Sequence, residues 1–316
     1  MPLQFGRGAF IKLGEEAVST YGTIAASMPV DNRIISASFQ KTQEKERKTH
    51  LSQGGSGGFQ SGHFEAFLTV GGSIDLPLLY EGSGMLIKAA VGAVTTTGSA
   101  PYTHEYVPSS DGEVGSLSIG LQRGTGSYEV FLGCKVTNMG ISGSAGEEIT
   151  GSFEIIAQNS NARSAATTSS FGTGKQIFHY ECGDIDFNLN QYPMKSFEFT
   201  LDNKLERRNV LGDKKTLEPV TNDVKDVTLS VTLEMQDNNL FDSYIAGTQS
   251  DVEFTVTNGV DILNVLIRNC YITDYSDDIN SFGAVERTMT FVGESDAVDE
   301  AIRIQITNSQ TSAISN

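Results

Sequence analysis

The chain has little of what metal chemistry, nucleophilic catalysis or sugar binding use. Its 316 residues include no tryptophan, three cysteines and four histidines. The histidines show neither metal-ligand spacing nor nearby catalytic partners, so zinc binding and Ser-His-Asp catalysis have no local support. A carbohydrate-binding β-sandwich would use an exposed aromatic platform, for which a chain without tryptophan gives little basis.

Long apolar runs and a secretion signal are also missing. No stretch approaches the ~18–20 apolar residues of a membrane helix. The start, Met1 to Gln4, lacks the basic and apolar regions of a signal peptide. We therefore expect synthesis in a cytoplasm and no membrane partner.

Positive charge is scarce. Lysine and arginine number 22 against 39 acidic residues, and the net charge is −17. Nonspecific DNA binding by counterion release needs cations against phosphate, so the composition argues against it. Many of the cations lie in two stretches that we predict to be protruding loops, although charged runs are often simply solvated surface. They are Lys41, Lys45, Arg47 and Lys48, and Lys204, Arg207, Arg208, Lys214 and Lys215.

Two short segments resemble ligand loops but lack required residues. A phosphate loop would need a glycine where Ser169 stands, and a helix rather than a strand-like sequence after Lys175. The spaced oxygens from Asp184 to Asn190 have Leu189 where a calcium loop turns at glycine. The many carboxylates show no catalytic pairing. We predict no enzyme, no metal site and no cofactor.

The chain repeats itself. Residues Val130 to Gln158 align without a gap on Leu266 to Glu294, which places Cys134 on Cys270. Two short matches precede this one: FQKTQEKER, residues 39–47, with FTLDNKLER, residues 199–207, and EAFLTV, residues 65–70, with TLSVTL, residues 228–233. A repeat of this length indicates two duplicated domains rather than a solenoid of short units. The matched cysteines are predicted to be buried free thiols.

Alternating apolar and polar residues dominate both halves and predict half-buried strands. One short helix is expected in each half, near Asp75 to Ala90 and near Asn238 to Ala246. The fold class is therefore mainly β, with two tandem β-sandwich or half-barrel domains. The predicted boundaries are 1–158 for the first repeat, 159–174 for a linker, 175–294 for the second repeat and 295–316 for a C-terminal tail. An insertion is expected between Ala89 and Ser127.

Three segments resemble the tail tube proteins of long-tailed, siphovirus-type bacteriophages. They are Tyr128 to Ser142 (YEVFLGCKVTNMGIS), Thr150 to Ala157 (TGSFEIIA) and Leu13 to Thr23 (LGEEAVSTYGT). The second repeat departs from this pattern at Asn269 and Arg287. The resemblance covers residues 10–158 most clearly and is echoed in the second half.

The resemblance implies a sheet that joins its neighbours in a closed β-barrel around a lumen. Such rings are sixfold, so a chain with two tube units would build one from three copies in pseudo-sixfold symmetry. The implied partners are further copies in stacked rings, a tape-measure protein, tail tip and tail terminator proteins. Double-stranded DNA would pass through without specific binding. The implied location is the virion tail, after synthesis in the host bacterial cytoplasm.

In such a tube we expect the longest alternating strands to line the lumen. Their apolar residues, including Phe67, Phe153 and Met289, should face the core. The candidate lumen carboxylates are Glu148, Glu154, Glu234 and Glu286. An alternative is that these glutamates pair with cations at subunit joints. The basic loops are expected to order between stacked rings.

Other functions remain open at this point. The tube of a contractile tail, or of a bacteriocin or secretion machine, shares the fold, although such tubes usually use single-unit chains. A carbohydrate-binding β-sandwich module is a less favoured alternative. A hydrolase would need a convergent acid and base pair, which the sequence does not display.

Overall fold

The computed structural model describes residues 8–17, 20–47, 63–124, 126–164, 167–169, 171, 177–179, 182–187, 190–234, 238–278, 285–295 and 300–314. These residues form a mainly β protein with two short helices, as the alternating sequence predicts. The second helix falls inside its predicted range. The first begins later than expected, because residues 75–77 still belong to a strand, and it ends one residue beyond the predicted range, at Val91.

The elements of the first half are β1 (Phe10–Glu15), β2 (Val30–Arg33), β3 (Ser36–Ala37), β4 (Gln40–Arg47), β5 (His63–Pro77), α1 (Gly84–Val91), β6 (Gly92–Gly98), β7 (Tyr102–Pro108), β8 (Leu117–Arg123), β9 (Ser127–Ser144), β10 (Thr150–Ala157) and β11 (Asn159–Ser160). Those of the second half are β12 (Cys182–Phe187), β13 (Asn190–Tyr192), β14 (Met194–Asp202), β15 (Leu205–Arg208), β16 (Leu217–Thr221), β17 (Asp226–Glu234), α2 (Asn239–Ala246), β18 (Ser250–Asn258), β19 (Asp261–Asp278), β20 (Glu286–Val292) and β21 (Ile302–Asn308).

One antiparallel sheet runs through both halves, and we call it the long sheet. Its eight strands follow the order β4, β5, β10, β9, β14, β17, β20, β19. The two halves meet where β9 pairs with β14, from Asn138 opposite Asp202 to Ser144 opposite Ser196. A joint made of backbone hydrogen bonds leaves no free sheet edge between the halves.

The strands of the two halves pair in the same order. Ile74 of β5 lies opposite Phe153 of β10, and Val231 of β17 lies opposite Met289 of β20. Since Phe153 aligns with Met289, the pairing makes Ile74 the counterpart of Val231. The sequence match of residues 65–70 with residues 228–233, which pairs Leu68 with Val231, is therefore displaced along the strand.

Further strands cover the long sheet. In the first half β8 pairs with β1 and β9, and in the second half β18 pairs with β12 and β19. The hairpin of β6 and β7 lies in the region where an insertion is expected. Residues 302–308, predicted to belong to a tail, form β21 between β19 and β7. The end of the chain thus ties the second half to the first.

The apolar residues of the long sheet fill the core, with one exception among those predicted. Phe153 and Met289 are fully buried, as expected. Phe67 is 45% exposed, whereas its neighbour Leu68 is 8% exposed, so the prediction that Phe67 faces the core is wrong. Along β5, buried Leu68 and Val70 alternate with exposed Phe67 and Thr69, so Phe67 lies on the side of the strand that faces away from the core.

Cys134 and Cys270 are free, buried thiols on β9 and β19, as the sequence predicts. Cys134 lies opposite Leu117 of β8, and Cys270 lies opposite Ser250 of β18. Burial raises the pKa of the Cys134 thiol well above its ordinary value, and it raises the pKa of Cys270 to about 12.

We predict that both thiols resist modification in the native protein at pH 8, because only the accessible thiolate reacts. The test uses a Cys182→Ser background, so that a thiol reagent reports on these two residues alone. Labelling should be at least about a hundredfold slower than in the unfolded chain, in keeping with burial. Fast labelling of the folded protein at either position would contradict the assigned burial.

Candidate assembly surfaces

The long sheet has one face on the core and one polar face. On β14, Phe197, Phe199 and Leu201 are buried, whereas Glu198 and Thr200 between them are not. The same alternation continues across the neighbouring strands, because directly paired residues share a face. The polar face carries mostly serine, threonine and carboxylates. Its acidic residues among the described positions include Asp75, Glu154, Glu198, Asp202, Asp226, Glu234, Asp274 and Glu286.

Two lysines offset like-charge contacts at the two ends of this polar face. Glu234 lies directly opposite Glu286, and the Lys195 ammonium lies 3.0 Å and 2.8 Å from their carboxylates. Hydrogen bonds to Glu286 and Glu234 raise the pKa of Lys195. At the other end Asp202 lies opposite Asp226, and Lys204 binds Asp202 at 2.7 Å. The remaining acidic residues leave the face strongly negative.

Three of the four predicted lumen glutamates lie on this face. They are Glu154, Glu234 and Glu286, in β10, β17 and β20. Glu148 does not lie on a named strand: it is exposed in the turn before β10, where it forms a bridge with His179.

Sequence reasoning missed Glu198, the central carboxylate of β14. It lies between Ser142 of β9 and Ser230 of β17. The alternation of residues 197–202 was a sufficient signal for its face, but not for its place in the middle of the long sheet. That place depends on the β9–β14 joint, which is a long-range contact.

The first basic stretch is not a loop where the structure describes it. Lys41, Lys45 and Arg47 lie on strand β4, so the predicted loop is wrong for residues 41–47. The Lys41 ammonium donates hydrogen bonds to Asn159 Oδ1 at 2.8 Å and to the Ser160 carbonyl at 3.2 Å. Lys48 lies outside the described residues.

The second basic stretch forms a hairpin of β15 and β16, which we call the clasp hairpin (residues 205–221). Lys204, the residue before the hairpin, has a left-handed backbone with φ of 49° at the corner that leads from β14 into the hairpin. Arg208 and Lys215 are exposed on the hairpin. Lys214 forms an ion pair with Glu65 of the first half.

The clasp hairpin packs against the first half of the same chain. Arg207 is its central contact, donating to the carbonyls of Val70 and Ala157, the latter at 3.2 Å. The Leu68 amide donates to the Lys214 carbonyl at 2.8 Å. Burial lowers the pKa of Arg207, the largest cause, with a smaller opposing effect from Tyr21. Arg207 and Lys214 therefore act within the chain, not as free surface cations.

A buried glutamate connects distant parts of the first half. The Glu16 carboxylate accepts hydrogen bonds from the Gly22 amide at 2.9 Å and the Gly133 amide at 2.8 Å. The hydroxyls of Ser116 and Ser118 donate to it at 2.9 Å and 3.0 Å. Glu16 thereby joins the segment of residues 13–23 to the strand of residues 128–142, the two segments that carry the resemblance.

Tyr21 and Gly133 meet in the same place. Gly133 has φ of 64°, and a Cβ atom there would lie 2.8 Å from the Tyr21 ring. Both the backbone conformation and the close approach require glycine. Glu16, Tyr21, Gly22 and Gly133, which all lie in segments that carry the resemblance, therefore form one structural unit.

Metal and membrane sites find no support in the part of the chain that the structure describes. No group of three or more histidine, cysteine, aspartate or glutamate side chains there is arranged to hold a metal ion. Helices within the described ranges are too short to cross a membrane.

The family is shown by comparison with known proteins. Residues 6–307 match the model of a family described as phage tail tube protein. The chain therefore belongs to the phage tail tube protein family, and it is a structural protein of the phage tail. A search of curated proteins found no matching relative. The match covers both halves, including the second half, where the resemblance was weaker.

We predict that Glu16→Ala destabilises the isolated chain by at least about 3 kcal/mol, because four donors lose a buried charged acceptor. Glu15→Ala is the matched control. Glu15 forms a partly exposed ion pair with Lys88, and its loss should cost no more than about 1 kcal/mol. Denaturant unfolding measures both. Equal, small effects would show that the Glu16 network is not a main source of stability.

Proposed function

We propose that three copies of this chain form one ring of a tail tube, each copy supplying two tube units in pseudo-sixfold symmetry. The observation that carries the proposal is the long sheet, in which the two halves already join by a β9–β14 pairing. Within the described residues, β4 pairs along one edge with β5, and residues 271–278 of β19 pair along one edge with β20. The sheet thus ends in two strands that can pair further.

The internal joint supplies a template for the joint between copies. By the sequence repeat, β4 corresponds to β14, and β19 corresponds to β9. Met139 lies opposite Leu201 in the internal joint. The corresponding residues are Tyr275 and Lys41, so these two should lie opposite each other where β19 of one copy meets β4 of the next.

The difference in exposure between the two helices favours another copy beside the edge of β19. α1 is buried along its length, and its Ala90 carbonyl accepts a hydrogen bond from Asn203 of the second half at 2.8 Å. The described residues cover α2 less completely: Phe241 is 41% exposed and Ile245 is 67% exposed. Exposed apolar side chains beside an unpaired strand edge favour an interface with another copy.

Three copies of an eight-stranded sheet give a barrel of twenty-four strands. With strands ~4.8 Å apart and tilted ~40°, the circumference is ~150 Å and the diameter ~48 Å. A lumen of this width, less the side chains, admits a DNA duplex. The dimensions therefore suit a conduit rather than a packed barrel.

The polar face is the proposed wall of the lumen. Its described carboxylates outnumber its cations, and Lys195 and Lys204 are bound to carboxylates. Such a net negative surface repels phosphate and offers little of the positive charge that counterion release needs. DNA would pass along this wall without binding to it.

Stacking of rings is the proposed role of the exposed cations of the clasp hairpin. Arg208 and Lys215 are exposed on the clasp hairpin. Each contact with acidic surface on the next ring would contribute about 0–1 kcal/mol, and the sum grows with the copies in each ring.

Ring composition is tested by mass measurement of assembled particles and by electron microscopy. We predict rings of three chains with six similar lobes, stacking into tubes. Assembly requires an initiator in many such systems, so the purified chain is examined alone and with its tail tip complex. Rings of six chains would contradict the two-unit arrangement.

Lumen charge is tested by reversing two central carboxylates, with Glu154→Lys and Glu198→Lys combined. We predict tubes that form but retain double-stranded DNA at low salt and release it at high salt. The matched control is Glu105→Lys with Glu253→Lys, which makes the same charge change on β7 and β18 of the outer layer. A failure of this variant to form rings, with normal rings from the control, would instead assign these carboxylates to folding or assembly. Identical DNA retention by the two variants would contradict a lumen role for Glu154 and Glu198.

A further inference from the structure

We propose that the basic end of β4, with Lys45 and Arg47, docks in an acidic pocket on the second half of the neighbouring copy. The inference rests on the proposed ring and adds a specific contact between its copies. Inside the chain, the clasp hairpin of the second half already makes a contact of this kind with the first half.

The internal contact has three parts. Arg207 donates to the carbonyls of Val70 and Ala157, at the place where β5 and β10 are paired. The Gln158 side chain donates to the Thr216 carbonyl of the clasp hairpin at 3.3 Å. The clasp hairpin therefore covers the end of the β5–β10 pair in the first half.

The second half has the corresponding surface, but there it is a pocket. Val227 and Gly293 correspond to Val70 and Ala157, and they are joined in the same way by a hydrogen bond from the Gly293 amide to the Val227 carbonyl at 3.0 Å. Both residues line a pocket of about 550 Å³, to which residues 108–110 and 112 of the first half also contribute. The clasp hairpin occupies this place in the first half, whereas the described residues of the second half leave it open.

The charge of the pocket identifies the chemistry of its occupant. Glu294, the counterpart of the neutral Gln158, lines the pocket together with exposed Glu300. Lys225 is the one cation among the lining residues, and burial is the main cause that lowers its pKa. Two carboxylates and the carbonyls of the β17–β20 pair favour a guanidinium, which offers several donors in one plane.

Arg47 is the arginine that the repeat places there. Glu46 and Arg47 align with Glu206 and Arg207 at the end of the matched segments FQKTQEKER and FTLDNKLER. In the single chain β4 stays paired with β5 as far as Arg47 opposite His63, whereas the second half turns out of the sheet at Lys204. If β4 of one copy pairs with β19 of the next as β14 pairs with β9, and its end turns as the chain does at Lys204, that end reaches the Val227–Gly293 surface of the next copy. Lys45, two residues earlier, adds a second positive charge near Glu294 and Glu300.

The test compares Arg47→Glu with Arg208→Glu, which makes the same charge change at the exposed residue next to Arg207. Both variants should keep the unfolding midpoint of the wild-type monomer. We expect Arg47→Glu to raise the protein concentration needed for ring formation at least about tenfold, as for other interfacial charge pairs. Arg208→Glu should leave ring formation unchanged. Sedimentation and electron microscopy measure rings and tubes separately.

A second experiment exchanges the charges of Arg47 and Glu294. Glu294→Arg alone should impair rings as Arg47→Glu does, and the two changes combined should recover at least part of the loss. Normal rings from Arg47→Glu, with or without a defect in stacking, would overturn the inference. Equal impairment by the single and combined variants would also overturn it. If the wild-type chain forms no rings with its tail tip complex, the proposed function fails, which is a separate result.

Discussion

The pairing of β9 with β14 is the constraint on which the rest of the structure depends. It joins two halves into one sheet, and its register decides which residues of both halves share a face. Because side chains alternate along a strand, a slip of one residue would move Phe199 from the core to the polar face and Glu198 into the core. The buried row opposite Met139 and Ile141 therefore fixes both the core and the acidic surface at once.

The acidic face carries an electrostatic cost that the fold has to offset. Like charges directly opposite on paired strands destabilise a sheet, and Glu234 with Glu286 and Asp202 with Asp226 are two such pairs. Lys195 and Lys204 lie next to these pairs and bind them. A sheet selected for stability alone would carry threonine or mixed charges here. The retained carboxylates therefore fit a role outside folding, namely repulsion of phosphate in the proposed lumen.

Local patterns predicted the strands, both helices and the buried cysteines, because each depends on alternation within one segment. They failed where the residue type does not match the face it occupies or where contacts are long-range. Phe67 is an apolar residue on the side of β5 that faces away from the core, and the basic residues of β4 look like a loop because an edge strand tolerates charge. The Glu16 network joins residues about a hundred positions apart. The sequence could mark Glu16 by resemblance, but not by any local physical signal.

The proposed joint between copies is more polar than the internal joint, as a contact formed by diffusion requires. Internally, apolar Met139 faces Leu201, and neutral Gln158 contacts the clasp hairpin; the counterparts are Tyr275, Lys41 and Glu294. The internal partners are tethered, so their high effective concentration replaces any need for steering. Copies that meet by diffusion gain from opposite charges, which speed encounter and set register. Charge at a free sheet edge also keeps the unassembled chain from pairing with wrong partners. The polar character of the outer edges therefore follows from their exposure before assembly.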